Sequence, residues 1–109
     1  MKIEVLYFDG CPNIRPTLER IREVLEEQGL KLPLVKTKVS DEPTAKARGF
    51  LGSPTVRIDG VDIEPSARQS TAFGIMCRRY PEDRSGVPSK RLILEAIRHP
   101  YPARDPDGR

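Results

Sequence analysis

The chain has 109 residues, and 19 basic against 16 acidic side chains give it a net charge of +3. The length fits one domain, since domains peak at about 100–150 residues, and no run approaches the ~20 apolar residues of a membrane-spanning helix. The basic residues are mixed with acidic ones and are not interleaved with aromatic residues, which argues against a nucleic-acid partner. We therefore expect a cytoplasmic domain that binds neither membrane nor nucleic acid, with its oligomeric state left open.

The first two elements are a strand and a helix. Residues 2–8 predict the strand, because β-branched and aromatic side chains fill it and both of its faces are largely apolar. Asp9-Gly10 ends it. An apolar stripe at helical spacing then predicts a helix from Cys11 to Gly29, with Asn13 as its N-cap. The stripe consists of Ile14, Leu18, Ile21 and Leu25.

A strand, a short helix and a hairpin follow. Residues 34–39 predict the second strand and residues 43–49 the short helix. Residues 55–58 and 61–64 are β-rich and flank Asp59-Gly60. Because that dipeptide accepts the positive φ angles of a type I′ turn, these two runs predict a β-hairpin.

Residues 65–88 form an insert before the last helix. Within it, residues 67–80 are compatible with a helix and residues 81–88 predict a loop. The helix would have several apolar side chains available for burial, namely Phe73, Ile75, Met76 and Tyr80. Residues 89–99 predict the last helix, with its N-cap at Ser89. The proline-rich tail, residues 100–109, is expected to be disordered.

Two short motifs carry candidate chemistry. Residues 8–13 read Phe-Asp-Gly-Cys-Pro-Asn, and residues 52–56 read Gly-Ser-Pro-Thr-Val. At the entry to a helix, unpaired backbone N–H groups and the positive end of the helix dipole favour a thiolate. We therefore expect Cys11 to be exposed and reactive.

The order of the predicted elements, βαβ-α-ββα, and the two motifs resemble the thioredoxin fold over residues 1–99. The resemblance implies an α/β fold with a central four-stranded mixed sheet, helices on both faces and the insert before the last helix. It also implies a reactive thiol at Cys11, a cis peptide bond before Pro54, and a substrate site that includes Pro12, Ser53 and Pro54, with the Ser53 backbone bonding a bound thiol or peptide. The sequence is also similar to small thioredoxin-like chains labelled alkylmercury lyase.

The sequence departs from the Cys-x-x-Cys pattern of the dithiol oxidoreductases that it resembles. Ile14 stands where the resolving cysteine would be, so a local disulfide cannot form. Cys77, inside the insert, is the other thiol and is predicted to lie on the same side of the sheet. Arg78 and Arg79 would favour its thiolate, whereas its apolar neighbours favour simple packing.

Three hypotheses remain open at this stage. The first is thiol–disulfide exchange with a protein or small-molecule substrate, with Cys11 as nucleophile and Cys77 as resolving thiol. The second is binding of a soft metal (Hg, Cu or As) by Cys11 and Cys77, and carbon–mercury cleavage would then use Asp9 as the nearest proton donor. The third is a non-catalytic binding module. No phosphate loop or dinucleotide motif is present, so no organic cofactor is expected.

Overall fold

The computed structural model describes residues 1–80 and 85–99. This part of the chain is an α/β structure with four strands, three α-helices and one short 3-10 helix. The strands are β1 (Ile3–Tyr7), β2 (Leu34–Lys38), β3 (Thr55–Ile58) and β4 (Val61–Asp62). The helices are α1 (Ile14–Glu27), α2 (Glu42–Arg48) and α3 (Lys90–Arg98), and the 3-10 helix is Pro65–Ala67.

The strands form one mixed sheet in the order β2-β1-β3-β4. β1 is parallel to β2 and antiparallel to β3, and β3 is antiparallel to β4. In the β1–β3 register, Leu6 lies opposite Thr55. The chain therefore leaves β1 and enters β3 at the same end of the sheet.

The core is built on both faces of β1, as its largely apolar sequence predicted. Ile3 and Val5 are fully buried on the face covered by α1 and α3. Leu6 points to the other face and packs in a second cluster that includes Phe50 and Ala45 of α2. Full burial of such aliphatic side chains contributes about 1.5–3 kcal/mol each, so β1 anchors the helices on both faces.

The three helices predicted for residues 11–29, 43–49 and 89–99 are confirmed, with boundaries that differ by one to three residues. α1 begins at Ile14 rather than Cys11, because residues 8–14 form turns: the Cys11 N–H donates to the carbonyl of Phe8 at 3.3 Å. Asn13 is the N-cap, but its side chain makes no capping bond. Ser89 caps α3 as expected, with its Oγ accepting from the Leu92 N–H at 3.0 Å.

The hairpin is confirmed with a shorter second strand than predicted. Asp59 and Gly60 have φ angles of 50° and 81°, the left-handed conformations that a type I′ turn requires. β4 ends at Asp62 instead of residue 64. The Ile63 N–H still donates to the carbonyl of Val56 at 3.1 Å, so the pairing continues for one more bond.

The helix considered for residues 67–80 is wrong. The backbone of this segment bonds across the chain instead of four residues back. The Gly74 N–H donates to the carbonyl of Phe50 at 3.0 Å, and the Ile75 N–H donates to the side chain of Glu42 at 3.2 Å. These partners hold the segment extended against the sheet, where an isolated helix of this length would have been marginal.

Part of the loop predicted for residues 81–88 and the whole predicted disordered tail, residues 100–109, lie outside the described residues. Residues 85–88 contain no helix or strand, as predicted. Within residues 1–80 and 85–99, no helix has the length and apolar character needed to cross a membrane.

Candidate functional site

The topology brings the two thiol-bearing segments to one end of the sheet. Cys11 follows the C-terminal end of β1, and Ser53 precedes the N-terminal end of β3. These two strands pair antiparallel, so both ends lie together. Cys77 forms an isolated parallel bridge with Ser53. The Ser53–Pro54 peptide bond is cis, in agreement with the expectation from the motif. Cys11, Ser53 and Cys77 therefore share one edge of the molecule.

Cys11 is a buried free thiol, with only 4 % of its surface exposed. The expectation that a cysteine after Asp-Gly would be exposed is wrong. Cys11 lies three residues before the first residue of α1, inside the turns that connect β1 to the helix, and not at the helix end itself. Pro12, its neighbour, is exposed. The surface of this turn is thus presented by the proline and not by the thiol.

Cys77 is an exposed free thiol, and the preference for a packing role is also wrong. Exposure alternates from Cys77 onward: Cys77 and Arg79 are exposed, whereas Arg78 and Tyr80 are buried. This alternation follows from an extended backbone, in which successive side chains point to opposite sides. The extended conformation therefore turns Cys77 towards solvent while Arg78 points inward.

Residues 73–80, which we name the strap, form hydrogen bonds with both main-chain groups of Ser53. The Ser53 N–H donates to the carbonyl of Met76 at 2.8 Å, and the Arg78 N–H donates to the carbonyl of Ser53 at 3.0 Å. Both main-chain groups of Ser53 are therefore used within the chain. The expectation that this backbone bonds a bound thiol or peptide stays a prediction, and such a ligand would have to displace the strap to bond the Ser53 N–H.

Gly52 allows this close approach. Its φ is +107°, and a Cβ there would lie 3.0 Å from the carbonyl oxygen of Met76 and 3.1 Å from the Cβ of Arg78. Contacts this short are tighter than nine in ten real Cβ contacts, so the strap would have to move by a few tenths of an ångström. The positive φ and the close strap thus both favour glycine at this position.

A buried charged cluster fixes the strap to the hairpin. The guanidinium of Arg78 donates from Nη1 to Oδ2 of Asp62 at 2.7 Å and from Nη2 to Oε1 of Glu64 at 2.9 Å. Burial by itself lowers the pKa of Arg78, but its hydrogen bonds to the two carboxylates outweigh this, so the net direction is upward. Because this charge is committed to Asp62 and Glu64, the expected support of Arg78 for a Cys77 thiolate is not found.

Tyr80 completes the cluster. Its ring centroid lies 4.5 Å from Cζ of Arg78, a cation–π distance. Its hydroxyl donates to the carbonyl of Pro54 at 2.6 Å. Burial raises the pKa of Tyr80. The strap is therefore fastened on both sides of the cis peptide bond, to Ser53 by its backbone and to Pro54 by a side chain.

No family model, curated protein or solved structure matches this chain. The functional interpretation of this site therefore depends on its own geometry and chemistry.

Asp9, the expected proton donor for carbon–mercury cleavage, is paired with a lysine. It forms a 2.5 Å ion pair with Lys38, and this hydrogen bond raises the pKa of Lys38. Within residues 1–80 and 85–99, no group of three or more His, Cys, Asp or Glu side chains could hold a metal ion. A soft metal at this site would depend on the two thiols.

The Arg78 cluster was not predicted from the sequence. A signal for it was present, since Asp62 and Glu64 are two residues apart in the predicted second strand of the hairpin, and Arg78 and Tyr80 are two residues apart in the insert. Spacing of two places side chains on one face of an extended segment. Two such pairs of opposite chemistry indicate two extended segments lying side by side.

Proposed function

We propose that this chain is a thioredoxin-like thiol protein that carries out thiol–disulfide exchange with Cys11 and Cys77. The observation that carries the proposal is the placement of both thiols at one end of the sheet, with Cys77 bridged to Ser53 and Cys11 following the neighbouring strand. The element order βαβ-α-ββα, with helices on both faces of a mixed sheet, supports the thioredoxin-like assignment. Its expected setting is the cytoplasm.

The exposure of the two thiols reverses the roles expected from the sequence. A disulfide substrate reaches the exposed Cys77 first, while Cys11 is buried. The Cys77 thiolate attacks one sulfur of the substrate, forms a mixed disulfide and releases the other sulfur as a thiol. The Cys11 thiolate then attacks Sγ of Cys77, which releases the second substrate thiol and leaves a Cys11–Cys77 disulfide.

This cycle reduces one substrate disulfide to two thiols and oxidises the two protein thiols. A dithiol, from a protein or a small molecule, must then reduce the Cys11–Cys77 bond to restore the starting state. The second step needs the two Cα atoms within about 7 Å. Because the strap carries Cys77, its position on Ser53 decides whether Cys11 can reach that sulfur.

The test uses glutathione disulfide with the full chain and two matched variants, read by intact mass and peptide mapping. The wild type should form an internal disulfide and keep no glutathione. Cys11→Ser should retain a glutathione adduct on Cys77, since nothing resolves it. Cys77→Ser should react much more slowly than either, because its remaining thiol is buried.

Two outcomes would count against the proposal. Adducts that form on the folded wild type no faster than on an unstructured cysteine peptide would favour a non-catalytic binding module. The same mapping after alkylation with and without Hg(II) addresses the soft-metal alternative. Protection of both thiols by Hg(II), without any internal disulfide after glutathione disulfide, would favour metal binding.

A further inference from the structure

A cleft of about 680 Å³ lies outside the thiol site, on the α2 side of the sheet. It is bounded by the C-terminal end of α2, the β3–β4 hairpin and residues 65–73. Clefts of about 300–1,000 Å³ are the usual size for small-molecule sites. Nothing in the thiol chemistry makes use of this cleft.

The lining of the cleft is positively charged. Three of its residues are arginines, Arg48, Arg57 and Arg68. The acidic lining residue, Asp62, has both carboxylate oxygens bonded to the buried guanidinium of Arg78. Asp62 is therefore already paired with Arg78, whereas neither Arg48 nor Arg57 forms an ion pair with a carboxylate among the described residues.

Arg57 is held in place by the end of α2. Its Nη2 donates to the carbonyl of Arg48 at 2.7 Å and to the carbonyl of Gly49 at 2.8 Å. These bonds satisfy carbonyls that a helix end leaves open and offset the negative end of its dipole. Among the described residues, no acceptor bonds its Nε or Nη1. Part of the guanidinium is thus left to donate to a ligand.

A bound anion would stabilise the charged form of the partly buried Arg57. Burial lowers the pKa of Arg57, and the charges of Arg78 and Arg48 act in the same direction, against the attraction of Glu4 and Asp62. No carboxylate within the described residues forms an ion pair with it. Arg48 and Arg57 both line the cleft, and guanidinium groups bind oxyanions through a planar fork of N–H donors.

An aromatic ring lies beside the same guanidinium. A Cβ on Gly49 would be 3.6 Å from Nη2 of Arg57 and 3.6 Å from a ring carbon of Phe73. Gly49 has no side chain, so the ring and the guanidinium are not separated there. The cleft therefore offers an apolar surface next to a cationic one.

We propose that this cleft binds a small molecule that carries a phosphate or carboxylate group on an apolar or aromatic body. Arg48 and Arg57 bind the oxyanion, and Phe73 contacts the body of the ligand. Arg68 also lines the cleft, where its Nε donates to the carbonyl of Asp62 at 2.9 Å. The proposed ligand site does not depend on the thiol chemistry, and its test is independent of the test of thiol exchange.

The test is a titration of the full chain with small probes, in which binding is monitored by the chemical shifts of the backbone amides. Phenyl phosphate, benzoate and benzyl alcohol serve as probes that share one ring and differ in charge. Phenyl phosphate or benzoate should shift the amides of Gly49 and Phe73, and the stronger of the two identifies the oxyanion. Benzyl alcohol should leave them unchanged.

A pair of charge-matched variants separates a built site from general attraction. Arg48→Gln should weaken binding of the better probe by about tenfold, the loss of one charge-assisted contact. Arg22→Gln removes the same charge from an exposed position on α1, across the sheet, and should change the affinity by less than about twofold. Both positions are exposed, and a thermal melt confirms that both variants fold.

Three results would overturn the proposal. The first is the absence of shifts at Gly49 and Phe73 with either anionic probe. The second is an equal loss of affinity in Arg48→Gln and Arg22→Gln, which would indicate unspecific attraction by net charge. The third is an unchanged affinity in Arg48→Gln.

Discussion

Arg78 binds both carboxylate oxygens of Asp62, from Nη1 to Oδ2 at 2.7 Å and from Nη2 to Oδ1 at 2.8 Å. Less than a tenth of either side chain is exposed. The bidentate geometry joins residues that are 16 positions apart, one on the strap and one on the hairpin. The placement of the exposed thiol of Cys77 is therefore coupled to an ion pair on its inward-facing neighbour.

Removal of the Arg78 guanidinium should destabilise the fold strongly. Arg78→Met leaves a buried Asp62 carboxylate without its partner, and we expect a loss of about 3–5 kcal/mol in the free energy of unfolding. Urea denaturation measures it. The double variant Arg78→Met/Asp62→Asn should recover a substantial part, because the unpaired charge is gone while an amide oxygen still accepts from the Glu64 N–H.

Lys90→Gln is the control for this ion pair. Lys90 bonds Glu27 at 2.9 Å in an exposed position, and its loss should leave the urea midpoint essentially unchanged. A double variant no more stable than Arg78→Met would contradict the charge explanation and point to lost packing instead.

Stability should fall at alkaline pH through Tyr80. Burial raises its pKa in the folded state, so the folded chain favours the neutral phenol. The contribution is fully present below the ordinary value of 10.0 and is lost as the pH rises above it towards the folded value. Urea midpoints measured across this range should decline less in Tyr80→Phe than in the wild type. Parallel declines in the two proteins would contradict this assignment.

An unpaired hydroxyl in the core should be dispensable. Thr17 is fully buried, and its Oγ1 has no hydrogen-bond partner in the described structure. Thr17→Val keeps the shape of the side chain and removes an unsatisfied polar atom. The free energy of unfolding should therefore rise by about 1 kcal/mol. Thermal and urea denaturation both report this change.

Thr55→Val is the matched control for this hydroxyl. The Thr55 hydroxyl donates to the carbonyl of Gly52 at 2.6 Å and accepts from Arg78 at 3.3 Å. The same substitution here should lower stability by about 1–3 kcal/mol, because it leaves buried partners unsatisfied. Equal effects at both positions would show that hydrogen bonding does not decide the outcome.

Substitution of Gly52 should displace the strap. Gly52→Ala adds a Cβ that meets Met76 and Arg78 at 3.0–3.1 Å, so amide exchange at the Arg78 N–H should accelerate. Gly60→Ala is the control, since Gly60 also has a positive φ but nothing lies within 4 Å of its Cβ position. That change should cost about 1–2 kcal/mol from the backbone alone, and Gly52→Ala should cost more. Slow exchange at Arg78 in Gly52→Ala would show that the strap tolerates the added carbon.

The elements that depend on local pattern could be predicted from the sequence. The apolar stripe of α1 and the Asp59-Gly60 turn are encoded by residues within one or two turns of each other, so periodicity and φ preference suffice. The Ser89 cap is equally local. These features positioned the sheet and its helices correctly.

The exposure of the two thiols could not be predicted in the same way. Cys77 is turned outward because its segment bonds Ser53, 24 positions earlier, in an extended conformation. Such a pairing depends on closure of a long loop, and the residues next to Cys77 do not specify its partner. Cys11 sits in turns whose burial depends on the surrounding segments and not on its helix-entry motif. The local motifs therefore predicted an exposed Cys11 and a packed Cys77, whereas the structure has the reverse.

The contact between Gly52 and the strap gives a criterion for finding related chains. In a chain with any other residue two positions before the proline, the added Cβ would push the segment a few tenths of an ångström away from the position that Met76 has here. Gly-x-Pro followed by Arg-x-Tyr, at the separation of Pro54 from Arg78 and Tyr80, therefore forms one joint signature. Distant sequences that carry both halves are expected to share the strap, whereas those with the Gly-x-Pro turn alone would present the Ser53 backbone uncovered.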